Sequence, residues 1–255
     1  MDLPAPPRLD AARHSLLLDF DGTFVDFAPR PDAVQLRPDS LGLLEALQAY
    51  LHGALAIVTG RRISDVDVFL SPLRLPAVGV HGQESRLGIG EIRMRSVTPD
   101  LEVARTRIAA ELAAGEPFLL EDKQSAIVLH FRLHPHLHDR AAEIAMRAVA
   151  GLPGIQALSG HDIVEVRQVG VSKADAVAIL AESPLFAGRV PVFVGDDATD
   201  EDGFRSVMAA RGFAVKVGPG ETAANYRLEG LEAVHAWLRA CLPERDQRAG
   251  TAAGR

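Results

Sequence analysis

Asp19 and Asp21 stand one residue apart in Leu17-Leu18-Asp19-Phe20-Asp21-Gly22-Thr23. They follow an apolar run, Ser15-Leu16-Leu17-Leu18, that reads as a short buried strand, and Gly22 permits a sharp turn just beyond it. A strand period of two predicts that both carboxylates point the same way as the strand runs out. The carboxyl edge of an open α/β sheet is where such folds bind ligands. There, one carboxylate can attack an electrophile while its neighbour supplies a proton or helps to hold a hard cation. Taken alone, the pair also fits a turn, because Asp and Gly are common turn residues.

Three further segments extend the pattern. Thr59 ends the apolar run Ala54-Leu55-Ala56-Ile57-Val58 and precedes Gly60 and Arg61. Lys173 falls in the first turn of a predicted helix, the end where a cation disfavours the helix, which points to a functional use. Gly195-Asp196-Asp197-Ala198-Thr199-Asp200 follows the apolar strand Val192-Phe193-Val194. In a parallel sheet these strand ends share one edge, so the four segments converge. Such a set suits phosphoryl transfer. A phosphate monoester is a dianion, and carboxylates approach it only if positive charge is supplied as well. Lys173 supplies one charge, and Mg²⁺ held by a few oxygens supplies two. The Thr59 hydroxyl and nearby backbone N–H groups can bind the equatorial oxygens as charge spreads. Each residue also has a structural reading on its own: Thr59 as a strand-end hydroxyl, Lys173 as a solvated lysine, and Asp196, Asp197 or Asp200 as caps of the next helix.

The elements that must position these residues alternate. Asp39 is placed to cap a helix over Ser40 to Leu51, and Ala54 to Thr59 is a strand. Ile63 to Leu70 is a helix, Ala77 to Val80 a strand, and Gly82 to Arg95 a hairpin around Gly88 and Gly90. The rhythm returns with a helix capped by Ser172 and running to Ala181, then a strand Pro191 to Val194 and a helix Asp200 to Ala210. A strand Phe213 to Val217 and a helix Leu231 to Cys241 close the pattern. Alternation of this kind predicts a Rossmann-like α/β fold, a parallel sheet with helices on both faces. The middle breaks the rhythm: a helix Pro99 to Ala114, a hairpin Phe118 to Glu121 and Ala126 to Arg132 around Lys123-Gln124-Ser125, a helix His136 to Val149, then a hairpin Gly154 to Leu158 and Asp162 to Arg167 around Ser159-Gly160. Two helix–hairpin units make an α+β layer of four strands and two helices. The expected division is a core of residues 1–97 and 170–245, an inserted cap of 98–169 with hinges near Arg95–Pro99 and Gln168–Ser172, and a disordered tail of 246–255.

Composition bounds the partners. With 255 residues and 47% hydrophobic content the chain can bury a large core, and 27 basic against 34 acidic residues give a net charge of −7. That balance argues against nucleic acid and anionic membrane surfaces. No apolar run reaches the length of a membrane span, and Met1 to His14 has no secretory pattern. Cys241 is the single cysteine, in keeping with a reducing cytoplasm. Pro4, Pro6 and Pro7 suggest a loose start. His134, His136 and His138 invite a metal reading, but Pro135 and the helix behind it spoil the geometry. Gly218-Pro219-Gly220 lacks the Lys-Ser/Thr ending of a phosphate loop and reads as a turn.

The four segments resemble those of the haloacid-dehalogenase-like (HAD) hydrolase superfamily. Further segments narrow the resemblance to the trehalose-6-phosphate phosphatases: Val78-Gly79-Val80-His81-Gly82-Gln83-Glu84, Glu121-Asp122-Lys123, Leu129-His130-Phe131-Arg132, Val164-Glu165-Val166 and Gly170-Val171-Ser172-Lys173. The similarity runs from about Ser15 to Leu242. The resemblance implies a cytoplasmic, Mg²⁺-dependent phosphatase of trehalose biosynthesis that acts on a small sugar phosphate, with a monomer favoured. Asp19 is the implied nucleophile and Asp21 the general acid/base, with Thr59 and Lys173 completing the catalytic set. Implied metal ligands are Asp19, the Asp21 main chain and Asp196, with Asp200 behind them. Implied substrate contacts are Asp19, Phe20, Asp21, Gly60, Arg61 and His81 from the core and Glu121, Lys123, His130, Arg132 and Glu165 from the cap. Phe24 where Leu is usual, Thr59 where Ser is commoner, and Val166-Arg167-Gln168 after Glu165 depart from the pattern. Two alternatives stay open: a phosphatase for another phosphorylated disaccharide or glucoside, and a catalytically idle sugar-phosphate sensor.

Overall fold

The computed structural model describes residues 3–28, 30, 33–112, 117–123, 126–160, 162–169 and 171–244. The expected tail, 246–255, lies outside them. The chain divides into two compact units, Met1–Arg93 with Ser172–Arg255, and Met94–Val171. In chain order the elements are β1 (His14–Leu18), α1 (Ser40–Tyr50), β2 (Leu55–Val58), α2 (Ile63–Leu70), β3 (Ala77–Gly79), β4 (Glu84–Arg86), β5 (Arg93–Met94), α3 (Pro99–Glu111), β6 (Leu119–Asp122), β7 (Ala126–His130) and α4 (His138–Val149). They continue with β8 (Ile155–Gly160), β9 (Ile163–Gln168), α5 (Lys173–Ala181), β10 (Val190–Gly195), α6 (Asp200–Ala209), β11 (Phe213–Val217), β12 (Tyr226–Leu228) and α7 (Leu231–Cys241).

One eight-stranded sheet runs β12-β11-β10-β1-β2-β3-β4-β5. Its strands from β12 to β3 are parallel, and β4 turns back antiparallel on β3. The fold is therefore the expected parallel-sheet α/β core. Central strands read as unbroken apolar runs because both faces are covered: Leu16, Leu17, Leu18, Leu55, Ile57, Val192 and Val194 are all buried. β12 has no counterpart among the sequence expectations, since three residues, Tyr226-Arg227-Leu228, are too short to show a period. Arg227 donates to the carbonyls of Gly218 and Gly220, so Gly218-Pro219-Gly220 is a turn clamped through its acceptors.

Two local expectations fail for identifiable reasons. Asp39 makes no capping hydrogen bond to α1; its carboxylate pairs instead with Arg239 of α7, a partner two hundred residues away that no local rule reveals. The start of the chain is pinned rather than loose. The Pro4 carbonyl accepts from Arg227 N–H, the Pro7 carbonyl accepts from the Trp237 indole at 3.0 Å, and Leu9 N–H reaches the buried Cys241 thiol at 3.3 Å.

In the second unit a four-stranded antiparallel sheet runs β6-β7-β9-β8. Ile127, Leu129, Val164 and Val166 project from one face onto Leu101, Ala104, Ile108, Ala141 and Ile144 of α3 and α4. A 3-10 turn, Pro135–Leu137, precedes α4, with Pro135 in the first turn, where its missing N–H costs no hydrogen bond. The expected end of α3 at Ala114 and the turn residues Gln124 and Ser125 fall outside the described residues.

α7 also reaches the loop after β1. His235 is buried, its Nε2 lies 2.9 Å from the Phe24 carbonyl, and its ring stacks on Phe24 at 4.8 Å. Burial holds its pKa below the ordinary 6.5, outweighing the carbonyl contact. Below 6.5 the unfolded chain takes up a proton that the folded chain resists, so this contribution to stability is present above 6.5 and is lost as pH falls. The melting midpoint of the wild type should therefore drop more steeply between neutral pH and about pH 5.5 than that of His235→Gln. Parallel curves would show that His235 carries no part of the acid sensitivity.

Candidate active site

The order β10-β1-β2 at the centre of the sheet brings three chain ends side by side. Leu18 is in register with Val194 on one side and Ile57 on the other. Asp19, Gly195-Asp196 and Thr59 each emerge one or two residues later, and Asp19 N–H donates to the Val194 carbonyl at 3.0 Å. α5 starts at Lys173, with Ser172 N–H donating to Asp175 Oδ2 at 2.9 Å to hold that first turn.

Charge is concentrated here in buried side chains. Lys173 Nζ donates to Asp19 Oδ1 at 2.8 Å and to Asp200 Oδ1 at 2.6 Å. The three residues are 3%, 4% and 0% exposed, so this is an ion cluster in the interior rather than a surface pair. Asp200 Oδ2 accepts from the N–H groups of Asp196 and Asp197, both at 3.0 Å, and so shapes the loop that precedes its own helix. It does not cap α6. Asp197 fills that place, its Oδ1 accepting from Thr199 N–H at 2.8 Å and Asp200 N–H at 3.2 Å. Asp196 Oδ1 accepts from the Thr23 hydroxyl at 3.0 Å, and its carbonyl accepts from Lys216. Gly22 packs under the same carboxylate: a Cβ there would lie 2.3 Å from Asp196 Oδ2, and its φ of +76 also requires glycine.

Burial pushes the Asp19 carboxyl up to about 8, with Lys173 opposing and Asp196 and Asp197 adding to the rise. Asp196 rises to about 6 through burial and then through Asp200 and Asp197. Asp200 is raised by burial too, whereas Lys173 is held well above its ordinary value by Asp19 and Asp200 despite its burial. The carboxylates thus outweigh the single ammonium. One oxygen each from Asp19, Asp196 and Asp200 lies within 4.8 Å of the others, the one such group among the described residues. An all-oxygen, electron-rich donor set fits a hard divalent cation and not a soft one. His134, His136 and His138 form no such group: the rings of His134 and His136 meet edge-on at 6.0 Å, and His138 bonds Asp139.

Asp21 is held by an arginine. β1 ends at Leu18 and the chain turns beyond it, with the Phe20 carbonyl accepting from Phe24 and Val25 N–H. Both Asp21 oxygens take up Arg61, at 2.6 Å from Nε and 2.7 Å from NH2. Arg61 in turn lies over the rings of Phe69 and Phe20, at 5.2 and 6.0 Å. Phe20 is fully buried, its ring beneath Arg61. Thr59 Oγ1 accepts from Arg61 N–H at 3.0 Å.

His81 is placed by a strained turn. Val80 and His81 have φ of +45 and +54, positions that cost about 1–3 kcal/mol each for such residues. Val80 N–H donates to the Arg61 carbonyl and His81 N–H to the Thr59 carbonyl, at 2.9 and 3.1 Å. The ring then lies so close to Gly60 that a Cβ there would be 2.7 Å from Nε2.

The remaining expected residues belong to the second unit. Glu121 Oε2 and His130 Nε2 are 2.8 Å apart, Arg132 Nε lies 3.3 Å from Asp162, and Lys123 and Glu165 are buried. Sequence reasoning assigned no role to Thr23, Lys216 or Phe69. Lys216 left a signal, a lone cation inside the apolar strand Phe213-Ala214-Val215-Lys216-Val217.

A family model described as trehalose-phosphatase matches residues 17–231. The trehalose-6-phosphate phosphatase of Escherichia coli (strain K12) is 35% identical over 232 residues, covering 89% of this chain and 86% of that protein. Among solved structures, the C-terminal domain of Candida albicans trehalose-6-phosphate phosphatase superposes with a TM-score of 0.77 at 20% identity, covering 94% of this chain and 97% of that one. A phosphatase of the HAD superfamily from Bacteroides thetaiotaomicron superposes with a TM-score of 0.62 at 18% identity, covering 91% and 95%.

Removing the ammonium from the cluster should be costly in itself. Lys173→Met is expected to lower the unfolding free energy by about 3–5 kcal/mol, because buried carboxylates lose their counter-charge. Adding Asp200→Asn to that variant should recover part of the loss. Urea unfolding of the two variants and the wild type measures both, and an unchanged Lys173→Met midpoint would contradict the buried-cluster account.

Proposed function

The chain belongs to the trehalose-phosphatase family, and from that premise we propose that it hydrolyses trehalose 6-phosphate by covalent catalysis at Asp19. The observation that carries the reading is the Lys173 ammonium shared by Asp19 and Asp200 inside a cluster of carboxylates. Lys173 takes Asp19 Oδ1 and leaves Oδ2 for another partner. That oxygen attacks phosphorus in line, the bond from phosphorus to the sugar oxygen breaks, and an aspartyl-phosphate forms. Asp21, which takes a proton from solvent once it leaves the Arg61 fork, gives that proton to the departing sugar oxygen. A water then attacks the aspartyl-phosphate, Asp21 takes the water's proton, and phosphate leaves with Asp19 restored. To do this, Asp21 must exchange the Arg61 fork for the leaving oxygen, so Arg61 positions the acid between turnovers. Thr59 and Lys173 bind the transferring oxygens, with Gly60 and His81 lining the same place.

Mg²⁺ is the proposed cation, held by Asp19, Asp196 and the Asp21 main chain with Asp200 behind them, and it would neutralise charge on the phosphate. Residues 98–169 serve as a cap that reads the sugar through Glu121, Lys123, His130, Arg132 and Glu165. A disaccharide offers many hydroxyls and no charge away from its phosphate, so side chains with several donors and acceptors suit it. The enzyme would act as a cytoplasmic monomer on this small molecule. Phosphate release from a panel of phosphorylated sugars, with and without Mg²⁺, tests the reading. A marked preference for another disaccharide phosphate or a glucoside phosphate would move the substrate and leave the chemistry in place. No release from any of them would favour a sensor.

Two outcomes test the roles. Asp19→Asn should lose nearly all turnover yet melt cooperatively, whereas Asp21→Asn should slow hydrolysis of the sugar phosphate far more than that of an aryl phosphate, whose leaving oxygen needs little protonation. Equal slowing of both substrates by Asp21→Asn would remove the general-acid assignment. For the cation, Mg²⁺ should raise the melting midpoint of the wild type, because a ligand that binds only the folded state stabilises it. Differential scanning fluorimetry should show that rise abolished in Asp196→Asn, and an undiminished rise would place the ion elsewhere.

A further inference from the structure

Among its described residues the second unit holds one buried cation to which none of the roles above applies. Register puts Val128 opposite Glu165 and Ala126 opposite Arg167 between β7 and β9, and Glu121 opposite Val128 between β6 and β7. Side chains alternate along a strand, so Glu121, Glu165 and Arg167 share one face of this sheet. The opposite face, with Ile127, Leu129, Val164 and Val166, is the one sealed by α3 and α4. Arg167 therefore lies on the face opposite the one that α3 and α4 seal, and it is buried, 6% exposed.

Its guanidinium is poorly satisfied. Nε and NH1 are buried and donate no hydrogen bond among the described residues. The ion pair with Glu165 is long, 3.7 Å from NH1 to Oε2, beyond hydrogen-bond reach. A buried guanidinium with idle N–H donors is costly, and such groups in folded proteins call for an explanation. A ligand that brings acceptors removes the cost. The neighbouring Glu165 carboxylate disfavours an anion there, while neutral hydroxyl oxygens can accept from Arg167 and donate to Glu165 together.

We propose that Arg167 is a specificity-determining residue that donates hydrogen bonds to the hydroxyl oxygens of the substrate's uncharged sugar, alongside Glu165. The inference rests on the reading of residues 98–169 as a sugar-reading cap. Arginine is suited to the place because its donors are fixed in a plane and its charge persists when buried.

The test compares kcat/KM for trehalose 6-phosphate and for p-nitrophenyl phosphate in the wild type, Arg167→Met and Arg167→Lys, with melting curves for each. The preference for trehalose 6-phosphate should fall about ten- to a hundredfold in Arg167→Met, and Arg167→Lys should regain part of it. Monodeoxy analogues of trehalose 6-phosphate supply a second measurement that does not depend on Arg167→Met folding. One deoxy position should cost the wild type a similar factor, and in Arg167→Lys that cost should shrink. A wild-type preference retained in Arg167→Met, or no deoxy position at which the wild type and Arg167→Lys differ, would overturn the assignment of Arg167 alone. A wild-type enzyme that releases phosphate from p-nitrophenyl phosphate but not from trehalose 6-phosphate would overturn the sugar reading, and Arg167 with it.

Discussion

The Lys173 ammonium lies 2.8 Å from Asp19 and 2.6 Å from Asp200, and all three groups are almost wholly removed from water. None of them can be buried alone, since an isolated charge in the interior is prohibitively costly. Together they remain over-supplied with negative charge, because Asp196 and Asp197 stand beside them. The raised carboxyls of Asp19, Asp196 and Asp200 express that imbalance. A site in this condition attracts positive charge and resists a bare dianion. Hence the same cluster that would repel a phosphate on its own becomes receptive to one once a hard cation is present.

Holding such a cluster in place falls to the backbone. β1 lies between β10 and β2, and their parallel registers bring Asp19, Asp196 and Thr59 out at one edge. The loops beyond are fastened by their own polar groups: Asp200 to the N–H groups of Asp196 and Asp197, Thr23 to Asp196, and the strained Val80-His81 turn to the carbonyls of residues 59 and 61. Strain of this kind persists only where surrounding structure over-determines it. The stacked Phe24–His235 pair carries the constraint outward, tying the loop after β1 to the closing helix.

Arg61 and Arg167 show two ways in which a guanidinium serves such a protein. Arg61 is fully engaged, with both oxygens of Asp21 in its fork and Phe69 beneath its plane. It fixes a partly exposed carboxylate in one orientation. Arg167 is the reverse case, buried with Nε and NH1 donating to no acceptor among the described residues and a carboxylate 3.7 Å away.

Much of this was legible in the residues themselves. Apolar runs ending in Asp19, Thr59 and Gly195-Asp196 announced strands that deliver polar groups at their tips, and the alternation of strands and helices predicted the parallel sheet that the structure contains. The helix Ile63–Leu70 and the strand Phe213–Val217 have their expected bounds, because strong local periodicity decides them. Partners far apart in the chain were not legible. Asp39 looked like a cap and is instead a counter-ion for Arg239; Asp200, readable as a cap or as a group behind the metal ligands, holds Lys173 and the loop before it. The prolines near the start looked loose and are fastened by Arg227, Trp237 and Cys241. Residue types and their spacing determined which groups reach the edge of the sheet, since that follows from alternation and strand length. Only the tertiary structure decided which of them lose their water, because burial and charge pairing depend on residues brought together from opposite ends of the chain.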